Sequence, residues 1–157
     1  MVAGITLAKL TSDEWRRELE GILKTAEALD DGMRQLECDD MAAFEAYLTA
    51  LRLPRATPDE HAARQGARRQ AARRCAEVPL ALLQAIVETE SAAAELRALG
   101  KQVRLRAASD LPVAKALAEA AFQAAQHTLE ANLGELAPET AEQLRSQSEQ
   151  LAARRDR

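Results

Sequence analysis

Apolar residues at Trp15, Leu19, Ile22, Ala26, Leu29, Met33 and Leu36 recur in alternating steps of four and three. That spacing makes one continuous apolar stripe on an α-helix and suits no strand, whose faces repeat every two residues. A helix bearing such a stripe must bury it against another helix, so the spacing predicts a bundle. Thr11 or Ser12 is positioned to cap this helix, and Gly32 lies inside the stripe without shifting its phase.

The rest of the chain reads the same way. Asp39 is placed to cap a further short helical stretch carrying Met41, Phe44, Tyr47, Leu48 and Leu51, and Pro54 marks its end. Thr57-Pro58-Asp59-Glu60 combines a capping box, proline at the first helical position and acids in the first turn. A helix follows to Leu99 and Gly100, with a kink expected at Pro79. Ser109 is placed to cap another, with Val113, Leu117, Ala121, Ala124, Thr128 and Leu129 as its buried face up to Gly134. A last helix starts near Pro138 and is expected to fray over its final four residues. Alanine supplies 35 of 157 residues and aromatics 3%, which favours helix over strand by intrinsic propensity. The expected fold is all-α, an irregular antiparallel array of about five long helices in a single domain, 1–157.

Composition narrows function only by exclusion. A net charge of −4 gives no overall attraction to nucleic acid or an anionic membrane. Arg64, Arg68, Arg69, Arg73 and Arg74 form a basic run, but no aromatic residues interleave for base stacking, so a solvated helix face is the expected role. Cys38 and Cys75 lie far apart without a metal-ligand spacing, and His61 and His127 have no ligand-spaced partner. No metal site, no membrane segment and a reducing cytoplasmic setting are expected. A core of small side chains leaves room for burial against a second subunit, so a homodimer is expected.

Four short motifs carry the chemistry: Asp40-Met-Ala-Ala-Phe44, Arg52-Leu-Pro54, Glu77-Val-Pro79 and Ser109-Asp110. Asp40 and Phe44 share a helix face, where a carboxylate beside apolar surface is suited to proton transfer, although Asp39 and Asp40 also suit a helix N-terminus. Asp110, at a loop-to-helix position, can move a proton or accept a hydrogen bond, and Ser109-Asp110 equally suits an ordinary cap and first turn. Glu77 beside a proline is a weaker candidate of the same kind.

In order and spacing these motifs resemble the formiminotetrahydrofolate cyclodeaminase and methenyltetrahydrofolate cyclohydrolase family, from about Met1 to Leu136. The resemblance implies acid/base chemistry at a one-carbon unit of tetrahydrofolate. The catalytic residues would be Asp110 and Asp40, and Arg52, Glu77, Ser109, Lys101 and Arg104 would bind substrate. It implies no metal and no tightly held cofactor, a folate derivative being the substrate. Three departures stand out: the chain is expected to start after the Gly-Gly-Gly-Ser segment and helix with which the family begins, either because its start is placed late or because the scaffold has diverged; Pro112 replaces a glycine; and Ala124, Thr128 and Glu130 replace a Gly, an Asn and an Arg, leaving Asn132-Leu133 of that run. They leave open a second expectation, a family scaffold without catalysis that serves as a dimeric helical interaction protein.

Overall fold

The computed structural model describes residues 1–7 and 12–155. Its described residues form five helices and no strand: α1 (Val2–Leu7), α2 (Asp13–Arg52), α3 (Pro58–Leu99), α4 (Asp110–Leu133) and α5 (Pro138–Arg155). Four are long and α1 is one and a half turns. The expected number holds, but the divisions differ.

The difference lies at Asp39. No break follows Leu36; α2 continues as one helix of 40 residues. The Asp39 carboxylate accepts a hydrogen bond from Gln35 Nε2 at 3.0 Å, one turn back, and so braces the helix flank instead of capping a new start. Ser12 holds the N-cap position of α2 without a side-chain cap bond, and Thr11 lies outside the described residues.

The start of α3 is as the sequence predicts. Thr57 Oγ1 accepts from the Glu60 amide at 3.2 Å, while Glu60 Oε2 accepts from the Thr57 amide at 3.0 Å, with Pro58 at the first turn. Across this turn Arg64 Nη2 donates to the Leu51 carbonyl at 2.9 Å and occupies one of the orphan acceptors that end α2. From there α2 and α3 run antiparallel in one register: Tyr47 lies beside Arg68, Asp40 faces Cys75, and Leu19 and Ile22 share a core with Leu96 and Leu99. Pro79 is buried inside α3, which is helical on both sides of it.

At its far end α3 stops at Gly100, where a Cβ would lie 2.7 Å from Leu105 Cδ1 and 3.1 Å from the Arg97 carbonyl. A side chain there would have to displace Leu105, which folds back over the helix end. Ala107, at φ 53°, completes the connection in the left-handed region. Ser109 follows in helical geometry without a side-chain cap bond, so the capping role expected of it is not realised.

Two cores result. Ala76, Leu83, Ile86 and Val87 of α3 pack with Phe122, Leu129 and Leu133 of α4 and Leu144 and Leu151 of α5. The second core joins Val2 and Ala3, the start of α2, the end of α3, Val103 and Leu111. There the buried Thr6 Oγ1 accepts from the Arg106 amide at 2.9 Å, tying α1 to the α3–α4 connection.

The expected buried face of α4 requires correction. Leu111, Phe122, Ala125, Leu129 and Leu133 are buried, whereas Val113, Leu117, Ala121, Ala124 and Thr128 face outward. Both sides of this helix are apolar, and the side with Phe122 supplies the larger area to bury.

Candidate functional site

The seven candidate residues do not gather at one place. Asp40 is exposed on α2, and its charge bears on Cys75 of α3. Burial pushes the Cys75 thiol up, and the Asp40 charge adds to that shift. The Cys75 carbonyl accepts from Asn132 Nδ2 of α4 at 2.7 Å. Two residues on, Glu77 lies 2.7 Å from Arg73 and 3.5 Å from Arg74, so its carboxylate is engaged within its own helix. Asp40, Glu77 and Asn132 thus surround one stretch of α3.

Arg52 is exposed at the end of α2, about 18 Å along the axis from Asp40. Ser109 and Asp110 start α4 at the opposite end of the bundle, about 33 Å along the axis from Asn132. Lys101 and Arg104 are exposed on the connection leading into them. The motif residues of one chain therefore fall in two separate groups, with Arg52 apart from both.

Asp110 is half-buried and precedes Ala114 by one helical turn, about 6 Å. Ala114 opens a cleft of about 480 Å³ between α3 and α4, closed by the end of α5. Its apolar lining includes Val87, Ala94 and Ala118, with Val87 buried at its base, and its charged lining sets Arg97, Lys115, Arg154 and Arg155 against Glu90 and Glu119. Four cations against two carboxylates make this cleft locally positive on a chain of net charge −4.

One of those cations is fixed by the fold. Arg155 Nε and Nη2 donate to the two carboxylate oxygens of Glu90 at 2.5 and 2.6 Å, and Nη2 also donates to Glu119 at 2.8 Å. The guanidinium lies 4.2 Å over the Phe122 ring. The Glu90 bonds push the Arg155 pKa up, and the Arg155 bond holds the Glu119 carboxyl below its ordinary value. The end of α5 is therefore clamped, which corrects the fraying expected at Arg155; Asp156 and Arg157 lie outside the described residues.

The sequence reading missed Arg97, Lys115, Arg154 and Arg155. They come from three helices and share a cleft only because α5 returns over α3 and α4, so no local spacing announces them. The bond from Asn132 to the Cys75 carbonyl is likewise set by helix packing, and no local spacing announces it.

The basic run on α3 is largely tied into the protein. Arg68 bonds Glu135 beyond α4, Arg69 bonds Gln65, and Arg73 and Arg74 pair with Glu77. Among the described residues no group of three or more His, Cys, Asp or Glu is placed to hold a metal, and no helix is long and apolar enough to cross a membrane.

Known proteins share this architecture. The solved formiminotetrahydrofolate cyclodeaminase of Thermotoga maritima superposes with a TM-score of 0.77 at 25% identity, covering 99% of this chain and 73% of that one. The pig formimidoyltransferase-cyclodeaminase is 41% identical over 86 residues, 54% of this chain and 15% of the relative. The chicken formimidoyltransferase-cyclodeaminase is 29% identical over 128 residues, 82% of this chain and 22% of the relative. A methenyltetrahydrofolate cyclohydrolase of Methylorubrum extorquens is 33% identical over 81 residues, 52% of this chain and 39% of the relative.

Fold and likeness together define an all-helical protein of the cyclodeaminase and cyclohydrolase class. The sequence pattern of the family described as Formiminotransferase-cyclodeaminase matches residues 1–150, and the chain belongs to that family. These sequence alignments each span well under half the length of the relatives.

Proposed function

We propose that this chain performs acid/base chemistry on the one-carbon unit of a tetrahydrofolate, with Asp110 transferring the proton. The observation that carries this reading is the half-buried Asp110 standing one turn from a cleft with cationic and apolar lining. In hydrolysis, water adds to the methenyl carbon as the carboxylate takes one of its protons, one C–N bond of the bridge opens with that proton passed to the departing nitrogen, and the remaining hydroxyl proton leaves to solvent as the formyl carbonyl forms. With a formimino substrate, a folate N–H attacks the formimino carbon, its proton passes through the carboxylate to the leaving nitrogen, a second proton comes from solvent, and the C–N bond to that nitrogen breaks to release ammonia and the methenyl bridge. Such a group contributes about 100- to 10,000-fold in rate. Arg97, Lys115 and Arg154 suit the acidic tail of a folate, and orientation of the bound substrate supplies further acceleration.

The substrate is itself the folate derivative, and the proposed chemistry calls on no tightly held cofactor. A homodimer in the cytoplasm belongs to the same reading, and the free Cys38 and Cys75 fit a reducing compartment. The internal ties of the α3 arginines support a structural role for that run over nucleic-acid binding.

The test is loss of the methenyl-tetrahydrofolate absorbance above its spontaneous rate. Wild-type protein is expected to turn over, Asp110→Asn to lose at least 100-fold in kcat, and Arg97→Ala to raise KM with kcat little changed. Absence of turnover from folded protein would overturn the enzymatic reading. It would favour the alternative of a helical interaction protein, for which the exposed Met41, Phe44, Val113 and Leu117 would be the contact residues.

A further inference from the structure

The chain has five prolines, and four stand where a helix tolerates them. Pro54 lies between α2 and α3, and Pro58, Pro112 and Pro138 fall in first turns, whose amides have no partner within the helix. Pro79 stands in the middle of α3, buried, with helix on both sides. There the missing N–H is a loss. In the helical pattern that N–H belongs to the carbonyl four residues back, which is that of Cys75, and the proline ring also crowds the same carbonyl.

The Cys75 carbonyl is the one that Asn132 reaches. Asn132 Nδ2 donates to it at 2.7 Å, from α4 and from 57 residues along the chain. A carbonyl oxygen only accepts, so chemistry settles which half of the amide faces it. The donor is held on both sides: Leu129 and Leu133 of α4 are buried, and Glu135 just beyond bonds Arg68 of α3. The core that α3 and α4 share is apolar, with Ala76, Leu83, Phe122 and Ala125 among its residues. Such surfaces attract without direction, whereas a bond to a fixed carbonyl admits one axial position.

We infer that Asn132 stands in for the missing amide of Pro79, and that the two residues form one lock that fixes the axial position of α4 on α3. The proline frees an acceptor and the asparagine takes it. Glu77-Val-Pro79 and Asn132-Leu133, far apart in the chain, thereby hold the two halves of a single device. Asn132 is in this role a positioning residue: it holds the turn of α3 that carries Glu77 and Cys75, the latter facing Asp40 of α2.

The test is a double-mutant cycle. Pro79→Ala returns an N–H to the Cys75 carbonyl from within α3 and makes Asn132 dispensable there. Amide exchange over residues 76–83, read by mass spectrometry, is expected to quicken in Asn132→Ala by about 5- to 150-fold, the shift in local opening that one undonated carbonyl brings. Asn132→Asp keeps the shape and loses the donor, and is expected to exchange at least as fast. In a Pro79→Ala background, Asn132→Ala is expected to change exchange by less than about twofold.

Unchanged exchange in Asn132→Ala would overturn the inference, since water would then serve the carbonyl as well. So would equal acceleration with and without Pro79, which would make Asn132 a packing residue with no tie to the proline. Should Asn132→Ala alone fail to fold, adding Pro79→Ala is expected to restore the fold, and a failure to restore it overturns the inference too. One consequence rests on the folate reading: turnover lost in Asn132→Ala is expected to return in the double variant. Turnover that stays lost would overturn the positioning role, because a backbone amide inside α3 does not replace a group that touches substrate. Exchange is measured without folate, so an inactive wild type would remove the catalytic reading and leave the lock standing.

Discussion

Cys75 shows how one side chain reports on its surroundings. Its thiol is half-buried between α2 and α4, and burial together with the nearby Asp40 charge holds it protonated beyond the ordinary range. Cys38 is exposed on α2. The thiolate is the reactive form, so iodoacetamide at pH 8 is expected to label Cys38 first and Cys75 at least several-fold more slowly, as peptide mass spectrometry would read. Asp40→Asn should narrow the gap, because it removes the second cause of the Cys75 shift; an unchanged ratio would mean that burial alone protects the thiol.

The helical elements were legible where a terminus is decided by local chemistry and illegible where neighbours decide. Thr57, Pro58 and Glu60 carry the α3 start in three adjacent cues, and the structure makes every bond they imply. Asp39 carries a similar cue, but a residue four positions back claims its carboxylate, and α2 continues. On α4 two apolar faces competed, and alternation alone could not show that the Phe122 face would win. The α5 clamp is a purely tertiary device, and it has a pH signature. Glu119 is held below its ordinary value, so its contribution is complete above the unfolded carboxylate pKa and is lost as pH falls through the lower folded value. Arg155, shifted upward, stays charged throughout. Acidification below about pH 4 is therefore expected to speed amide exchange in α5 before the rest of the bundle. An Arg155→Met variant should show that fast exchange already at neutral pH.

The whole molecule is organised around α3, which touches α2, α4 and α5. Leu83, fully buried at its middle, belongs to the core that α3, α4 and α5 share. Leu83→Ala is expected to cost about 2–5 kcal/mol, read as a lower urea midpoint with the slope unchanged. A loss under about 1 kcal/mol would mean that the three helices are free to close over the cavity. The site follows from the same layout: α3 is long enough to hold Cys75 and Arg97 about 33 Å apart along its axis, and this divides the motif residues. Sequence order suggests that Asp40 and Asp110 both matter, and the length of α3 between them was legible, but which ends of the helices pack side by side was not. The shared register of α2 and α3 also limits how this chain can change in length. One residue lost from the middle of α2 would turn everything beyond it by about 100°, swinging Leu19 or Tyr47 off its partner, whereas the same loss in the turn at 53–57 would leave both helices in phase. Insertions and deletions between related chains are therefore to be sought in the turns, or as matched seven-residue steps in both arms.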